Sequence, residues 1–301
     1  MNLKTIEYLS DPGLRSIFLP GVLAGLAIAL FGGALSVFVV MKRLAFIGQG
    51  ISHAAFGGVG VAYVLGFGGA AAGAAFSAQL GIVFLFCLFA ALQIGFLSSG
   101  ETGRRGGKGN AQADTAIGIV LVASMGLGSL LLHIAEKNGR VATVSWESLL
   151  FGSIVSVSEA DAWASGVVAL VILGGLFLVR RPLTFWAFDE PAAAAFGVNV
   201  GLMRFVLLVM LALATVTAMK LAGVVLATAM LVLPAAAAVQ FSQRAGRVAL
   251  LSVAFAVAAV VAGMMLSFEL DWPTGASIVL VLAGIFAVGW TKEVARRKGF
   301  A

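Results

Sequence analysis

Residues 203–239 read MRFVLLVMLALATVTAMKLAGVVLATAMLVLPAAAAV, and after Arg204 the one charge in these 37 residues is Lys220. At about 1.5 Å per residue a single helix of this length would measure about 55 Å, against a hydrocarbon core of about 30 Å. The stretch therefore reads as two spans, 203–219 and 221–241, joined by a tight turn at 219–223. One long tilted helix with a snorkelling Lys220 is the alternative. The same criterion of roughly 18 apolar residues with few charges marks seven more spans, at 17–41, 44–67, 79–97, 115–134, 162–179, 248–268 and 275–291. The expected fold is an all-α polytopic transmembrane helical bundle of about nine spans. Residues 1–301 are expected to form a single transmembrane domain.

Composition agrees. Apolar residues make up 61% of the 301 and charged residues 11%, where a soluble domain carries about 25% charged. Mean hydropathy is +1.09. Thirteen acids and 19 bases cannot coat a soluble globule of this size. A soluble enzyme, a nucleic-acid-binding module and a disordered chain are all excluded. Cys87, the single cysteine, lies in an apolar run and cannot close an intrachain disulfide.

The first span is too long for a signal-peptide core and is expected to be retained. Alternating nine spans with the amino terminus outside leaves 14 of the 19 bases in the cytoplasm, among them Lys42, Arg43, Arg180, Arg181, Arg244 and Arg247. The positive-inside rule favours this orientation, which also places the carboxyl terminus inside. The inner loop 98–114, SSGETGRRGGKGNAQAD, reads as polar and mobile, with Asp114 capping the next helix. Asp189 can cap a short helix that carries Pro191 in its first turn. After Pro234, a short helix, a break at Gly246 and a return into the membrane are expected. Residues 146–161 are too polar at both ends to span and read as interfacial or re-entrant. Gly21 with Gly25, and Gly69 with Gly73, have spacing that permits close helix approach.

No Walker A, dinucleotide-binding, Cys-x-x-Cys or His-Glu-x-x-His pattern occurs in the sequence. The chain is therefore read as no enzyme, and any active transport must draw its energy from a partner chain or an ion gradient. Polar groups at membrane depth are then the informative ones. His53 lies nine residues into a span starting near Leu44, about 14 Å along its axis. Gln49 is one turn earlier on the same face, and Ser52 is adjacent. An imidazole with an amide oxygen one turn away can contact a divalent cation. A histidine bonded across a helix interface is the competing reading. His133, near Glu136, reads as interfacial. The acids Glu147, Glu159, Asp161, Glu269 and Asp271 read as an outer field for cations or as solvated loop charge.

Five segments in order resemble the ABC-3 family, the membrane permeases of bacterial zinc and manganese ABC importers. They are residues 35–56 (LSVFVVMKRLAFIGQGISHAAF), 114–119 (DTAIGI), 150–154 (LFGSI), 189–200 (DEPAAAAFGVNV) and 223–237 (GVVLATAMLVLPAAA). The resemblance runs from about residue 20 to residue 290. It implies a type II importer fold like that of the vitamin B12 importers, in the bacterial cytoplasmic (inner) membrane. It implies a homodimer of permease chains, a cytoplasmic ABC ATPase dimer and an extracytoplasmic metal-binding protein as partners, with the lipid bilayer around them. A coupling segment at about 234–248 would meet the ATPase through Phe241, Ser242, Gln243, Arg244 and Arg247. Asp189, Glu190 and Gly197 would form a secondary cytoplasmic contact nearby. His53 matches the family histidine, whereas the family usually carries Asp where this chain has Gln49. The transported ion is expected to be zinc, since histidine suits zinc and the lost carboxylate disfavours manganese. Manganese, iron, or a metal chelate or vitamin are alternatives, with a secondary transporter further off.

Overall fold

The structure, a computed structural model, describes residues 12–67, 74–99, 109–139 and 157–298. Ten helices occur among them: α1 (Pro12–Met41), α2 (Ile47–Val64), α3 (Ala74–Ser99), α4 (Gly109–Lys137), α5 (Glu159–Phe188), α6 (Glu190–Ala195), α7 (Val200–Met230), α8 (Leu233–Phe241), α9 (Ala245–Leu270) and α10 (Thr274–Lys298). The all-α expectation holds. Among the described residues, seven stretches are long and apolar enough to cross a bilayer, one of them the 42-residue stretch Val200–Phe241. Phe96 and Leu178 are more than four-fifths exposed, a placement suited to lipid rather than water.

Helix α7 is broken at Gly223, with φ 83° and ψ 166°, a conformation in which a Cβ would be strained. Lys220 marks the neighbourhood of the break, and the glycine makes it. Residues 200–222 alone give about 34 Å of helix, enough to span. The second half is not the continuous span 221–241 expected from hydropathy. It is interrupted by a turn at 231–232 before α8 begins with Pro234 in its first turn. Proline has no N–H and biases the preceding residue away from helix, so the chain stops and restarts there.

Chain contacts group into two compact units, one of Met1–Lys42, Leu150–Arg181 and Thr217–Ala301, the other of Arg43–Leu149 and Pro182–Val216. In the second unit α2 packs against α3 and α4. Lipid tails offer little drive for helices to associate, so close backbone approach must hold them. A Cβ added to Gly60 would come within 2.9 Å of the Gly128 carbonyl oxygen, and one on Gly128 within 2.7 Å of the Phe56 carbonyl oxygen. Fourteen of the 18 residues of α2 are buried. Protein surrounds this helix, so it can be shorter and more polar than a lipid-facing one. That is why it starts at Ile47 and ends at Val64 rather than filling the expected span 44–67.

In the first unit α8 packs against α1, α9 and α10. Val37, Ala235, Ala238 and Val248 form its buried apolar centre, with Val40, Met41 and Phe255 against it. The hydroxyls of Ser36 and Ser252 and the Gly33 carbonyl form a buried triangle with sides of 2.7 to 2.8 Å, clasping α1 to α9. The α9–α10 hairpin turns at Asp271, which is left-handed (φ 54°). There Ser267 Oγ donates to the Trp272 carbonyl at 2.7 Å.

Two local expectations fail. Asp114 does not cap a helix: α4 begins at Gly109, so Asp114 lies within it. Residues 109–113 contain no proline and continue the helix ahead of it. Gly246 is not a break either. It sits in the first turn of α9, and the chain turns earlier, at 242–244, where Ser242 is extended (φ −154°, ψ 145°). The segments expected to be a mobile loop at 100–108, the element at 146–156, the 150–154 match and the Gly69–Gly73 pair lie outside the described residues.

One contact was not foreseen. Lys220 donates to Asp161, and Asp161 also accepts from Ser158 Oγ at 2.8 Å while its own N–H donates to Ser158 Oγ at 3.2 Å. Ser158 and Asp161 form a capping box at the start of α5. The lone Lys inside a long apolar stretch was the available signal, and its partner 59 residues away carries none. Both side chains are about one-fifth exposed, so this pair is intermediate between a surface and a buried ion pair. Asp161→Asn is expected to lower stability by about 1–2 kcal/mol. The exchange Asp161→Lys with Lys220→Asp should recover part of that loss, as read by thermal unfolding of the purified protein.

Candidate metal-translocation site

The site is built on the first two turns of α2. With the helix starting at Ile47, His53 stands about 9 Å along it rather than 14 Å, nearer one end than the midplane position expected from sequence. Gln49 is exposed, Ser52 buried and His53 half-buried. At 100° per residue His53 lies 40° from Gly57 and 20° from Gly60 around the helix. Gly60 meets α4 at the Gly128 carbonyl oxygen, and Gly57 meets both the Phe86 ring of α3 and the Ser124 carbonyl oxygen of α4. The histidine therefore occupies the α4-facing side of α2.

His53 Nδ1 lies 2.9 Å from the backbone oxygen of Gln49. A carbonyl oxygen only accepts, so Nδ1 is the donor, and in the neutral ring the lone pair is left on Nε2. A hydrogen bond of this kind fixes tautomer and ring orientation in histidines that ligate metals. Gln49 thus acts on His53 through its main chain. The bond the structure gives between the two residues is this main-chain one. Ser52 Oγ, buried and without a hydrogen-bond partner, is a further neutral oxygen beside the imidazole in sequence.

Among the described residues, no three His, Cys, Asp or Glu side chains gather to hold a metal ion. What is present is one oriented imidazole with neutral oxygens. Such a set supplies no charge to offset a dication, and so suits brief contact rather than retention. His133 and Glu136 are both exposed at the far end of α4, consistent with an interfacial position.

The remaining candidates have defined places. The Phe241 ring meets Phe255 edge-on with centroids 5.4 Å apart, and Lys292 Nζ stands 5.8 Å from its centroid. A Cβ on Gly289 would come within 2.9 Å of the Phe241 ring, so α10 is packed hard against it. Ser242 Oγ accepts from the Arg244 N–H at 3.3 Å. Gln243, Arg244 and Arg247 are exposed. The segment is a part-exposed aromatic packed against α9 and α10, followed by a short cationic turn. In the other unit, Asp189 accepts from the Ala192 N–H at 2.9 Å and caps α6, as expected, and Pro191 follows. Glu190 pairs with Arg204 at 2.9 Å, and Gly197 turns the chain at φ 84°. All three have structural roles there.

The described residues thus form a helical protein with seven membrane-length apolar stretches and one oriented imidazole on a protein-enclosed helix. Residues 15–293 match the ABC 3 transport family, and the chain belongs to that family, as a metal-ion ABC transporter permease of the bacterial membrane. It is 32% identical over 289 residues to the manganese transport system membrane protein MntC of Halalkalibacterium halodurans, covering 96% of this chain and 91% of that one. Its fold matches a chain of PsaBC from Streptococcus pneumoniae in complex with Fab, with a TM-score of 0.76 and 27% identity over 96% of this chain and 95% of that one. An inward-facing metal-chelate type ABC transporter shares the fold at a TM-score of 0.64 and 17% identity, over 93% of this chain and 89% of that one. The expected type II importer architecture is therefore present. The membrane subunit of such a complex works with ATPase and binding-protein partners. Zinc, the ion expected from the histidine, finds no specific support, because the relative is named for manganese.

Proposed function

We propose that this chain is the permease of a manganese(II) importer, which passes the ion by alternating access past His53 Nε2. The observation that carries the reading is the half-buried imidazole whose Nδ1 is committed to the Gln49 carbonyl, leaving one lone pair for a passing cation. The choice of manganese over zinc is supported by the name of the Halalkalibacterium relative. A neutral imidazole binds zinc more tightly than manganese, so the ion is chosen before it reaches this site, by the extracytoplasmic binding protein. The amino terminus lies outside and the carboxyl terminus in the cytoplasm, in accord with the distribution of Lys and Arg. Two copies of the chain pair in the membrane. The Phe241–Arg247 turn, with Phe241 pinned by Phe255 and Gly289, transmits ATPase movement, and Asp189, Glu190 and Gly197 add a second cytoplasmic contact.

The test is uptake of radioactive manganese and zinc in cells lacking the chain. Reintroducing the wild-type chain is expected to restore manganese uptake and leave zinc uptake unchanged. Restored zinc uptake with unchanged manganese would return the assignment to zinc. Restoration of neither would reject a bare-ion permease.

A further inference from the structure

We propose that the groove between α1 and the start of α5 binds a phospholipid bearing a primary ammonium headgroup, with the ammonium on Glu159 and an acyl chain along α1. The groove encloses about 540 Å³ and is lined by Leu19, Pro20 and Leu23 of α1 and by Glu159, Trp163 and Gly166 of α5. Its volume falls within the range of about 300–1,000 Å³ typical of small-molecule sites.

Four observations define the occupant. Glu159 is the first residue of α5, so its carboxylate stands at the end of a spanning helix, where headgroups lie. The other acid of that turn, Asp161, is engaged by Lys220 and Ser158, which leaves Glu159 as the acid bordering the groove. Trp163 follows one turn later with 77% of its surface exposed. An indole at a membrane interface both anchors there and offers its face to a cation. Below it the walls are apolar, with Leu23 half-exposed and Gly166 leaving open space where a side chain would stand. That slot admits a hydrocarbon chain.

The chemistry discriminates among headgroups. An anionic headgroup would be repelled by Glu159. A quaternary ammonium could lie over Trp163 but has no N–H to donate. A primary ammonium has three.

The test is native mass spectrometry of the intact permease complex, delipidated and then exposed to equal amounts of phosphatidylethanolamine, phosphatidylcholine and phosphatidylglycerol with identical chains. The wild type is expected to retain phosphatidylethanolamine about tenfold over each of the others, the scale of one charge-assisted hydrogen bond. Glu159→Gln should bring the three to near parity with the thermal midpoint unchanged. Gly166→Leu should fill the slot and reduce retention of all three. Equal retention of the three lipids by the wild type would overturn the proposal, as would an undiminished preference in Glu159→Gln. So would a change of oligomeric state in Gly166→Leu with lipid retention intact, which would mean that a second copy of the chain fills the groove.

Discussion

Gly263→Val is expected to abolish accumulation of folded protein in the membrane. A Cβ on Gly263 would fall 2.5 Å from Ile278 Cα and 2.8 Å from Ile278 N. These are backbone atoms, which cannot rotate away as a side chain would. Helices α9 and α10 must then separate along a hairpin whose turn is already fixed by Asp271 and by Ser267 bonding across it. Overpacking typically costs about 1–3 kcal/mol and more where the backbone must move. A β-branched residue here is expected at or above the top of that range, comparable with much of a domain's stability. Gly263→Ala should show a smaller loss in the same direction. Gly284→Ala, on α10 where a Cβ meets nothing within 4 Å, should be neutral or stabilise by up to about 1 kcal/mol through helix propensity. Fluorescence-detected size exclusion of tagged variants reads all three. A normal monodisperse peak for Gly263→Val would mean that the α9–α10 packing described above is wrong.

His53→Ala is expected to lower manganese uptake by about tenfold or more, the scale of losing a metal contact or its support, at unchanged membrane level. Alanine in a helix keeps the backbone and removes only the imidazole, so the fold should persist. Gln49→Ala should keep most activity, because the bond to His53 Nδ1 comes from the main-chain oxygen of residue 49, which alanine retains. Gln49→Asp should lower the apparent KM for metal and slow turnover, since a carboxylate adds charge compensation and hence retention. The split between the two Gln49 variants separates a main-chain from a side-chain role. Equal loss in His53→Ala and Gln49→Ala would mean that the amide itself is a ligand.

Much of the fold was legible because hydropathy reports a property each residue carries alone. The stretch 203–239 announced a break near Lys220, although Gly223, three residues on, supplies the conformation. The cap at Asp189 was legible because cap, Pro191 and helix formers are contiguous. The errors have physical causes. Helix α2 was drawn too long because a helix enclosed by protein does not need the apolar length that lipid demands, and its glycines signal packing rather than hydropathy. Asp114 and Gly246 were given punctuation roles that their types permit but that neighbouring helix formers override. In the site, His53 was visible as a polar residue in an apolar run. That Gln49 serves it through the backbone was not visible, since main-chain bonding leaves no mark on residue type. The Lys220–Asp161 pair was hidden by the distance between its partners in sequence.

On the proposed pathway a manganese ion in transit touches His53 Nε2. Pulsed electron paramagnetic resonance of the purified permease complex loaded with manganese(II) reads nitrogen couplings from a ligated imidazole directly. Such couplings are predicted in the wild type and predicted to vanish in His53→Ala. Their absence from the wild type, or their persistence in the variant, would contradict contact between the ion and His53.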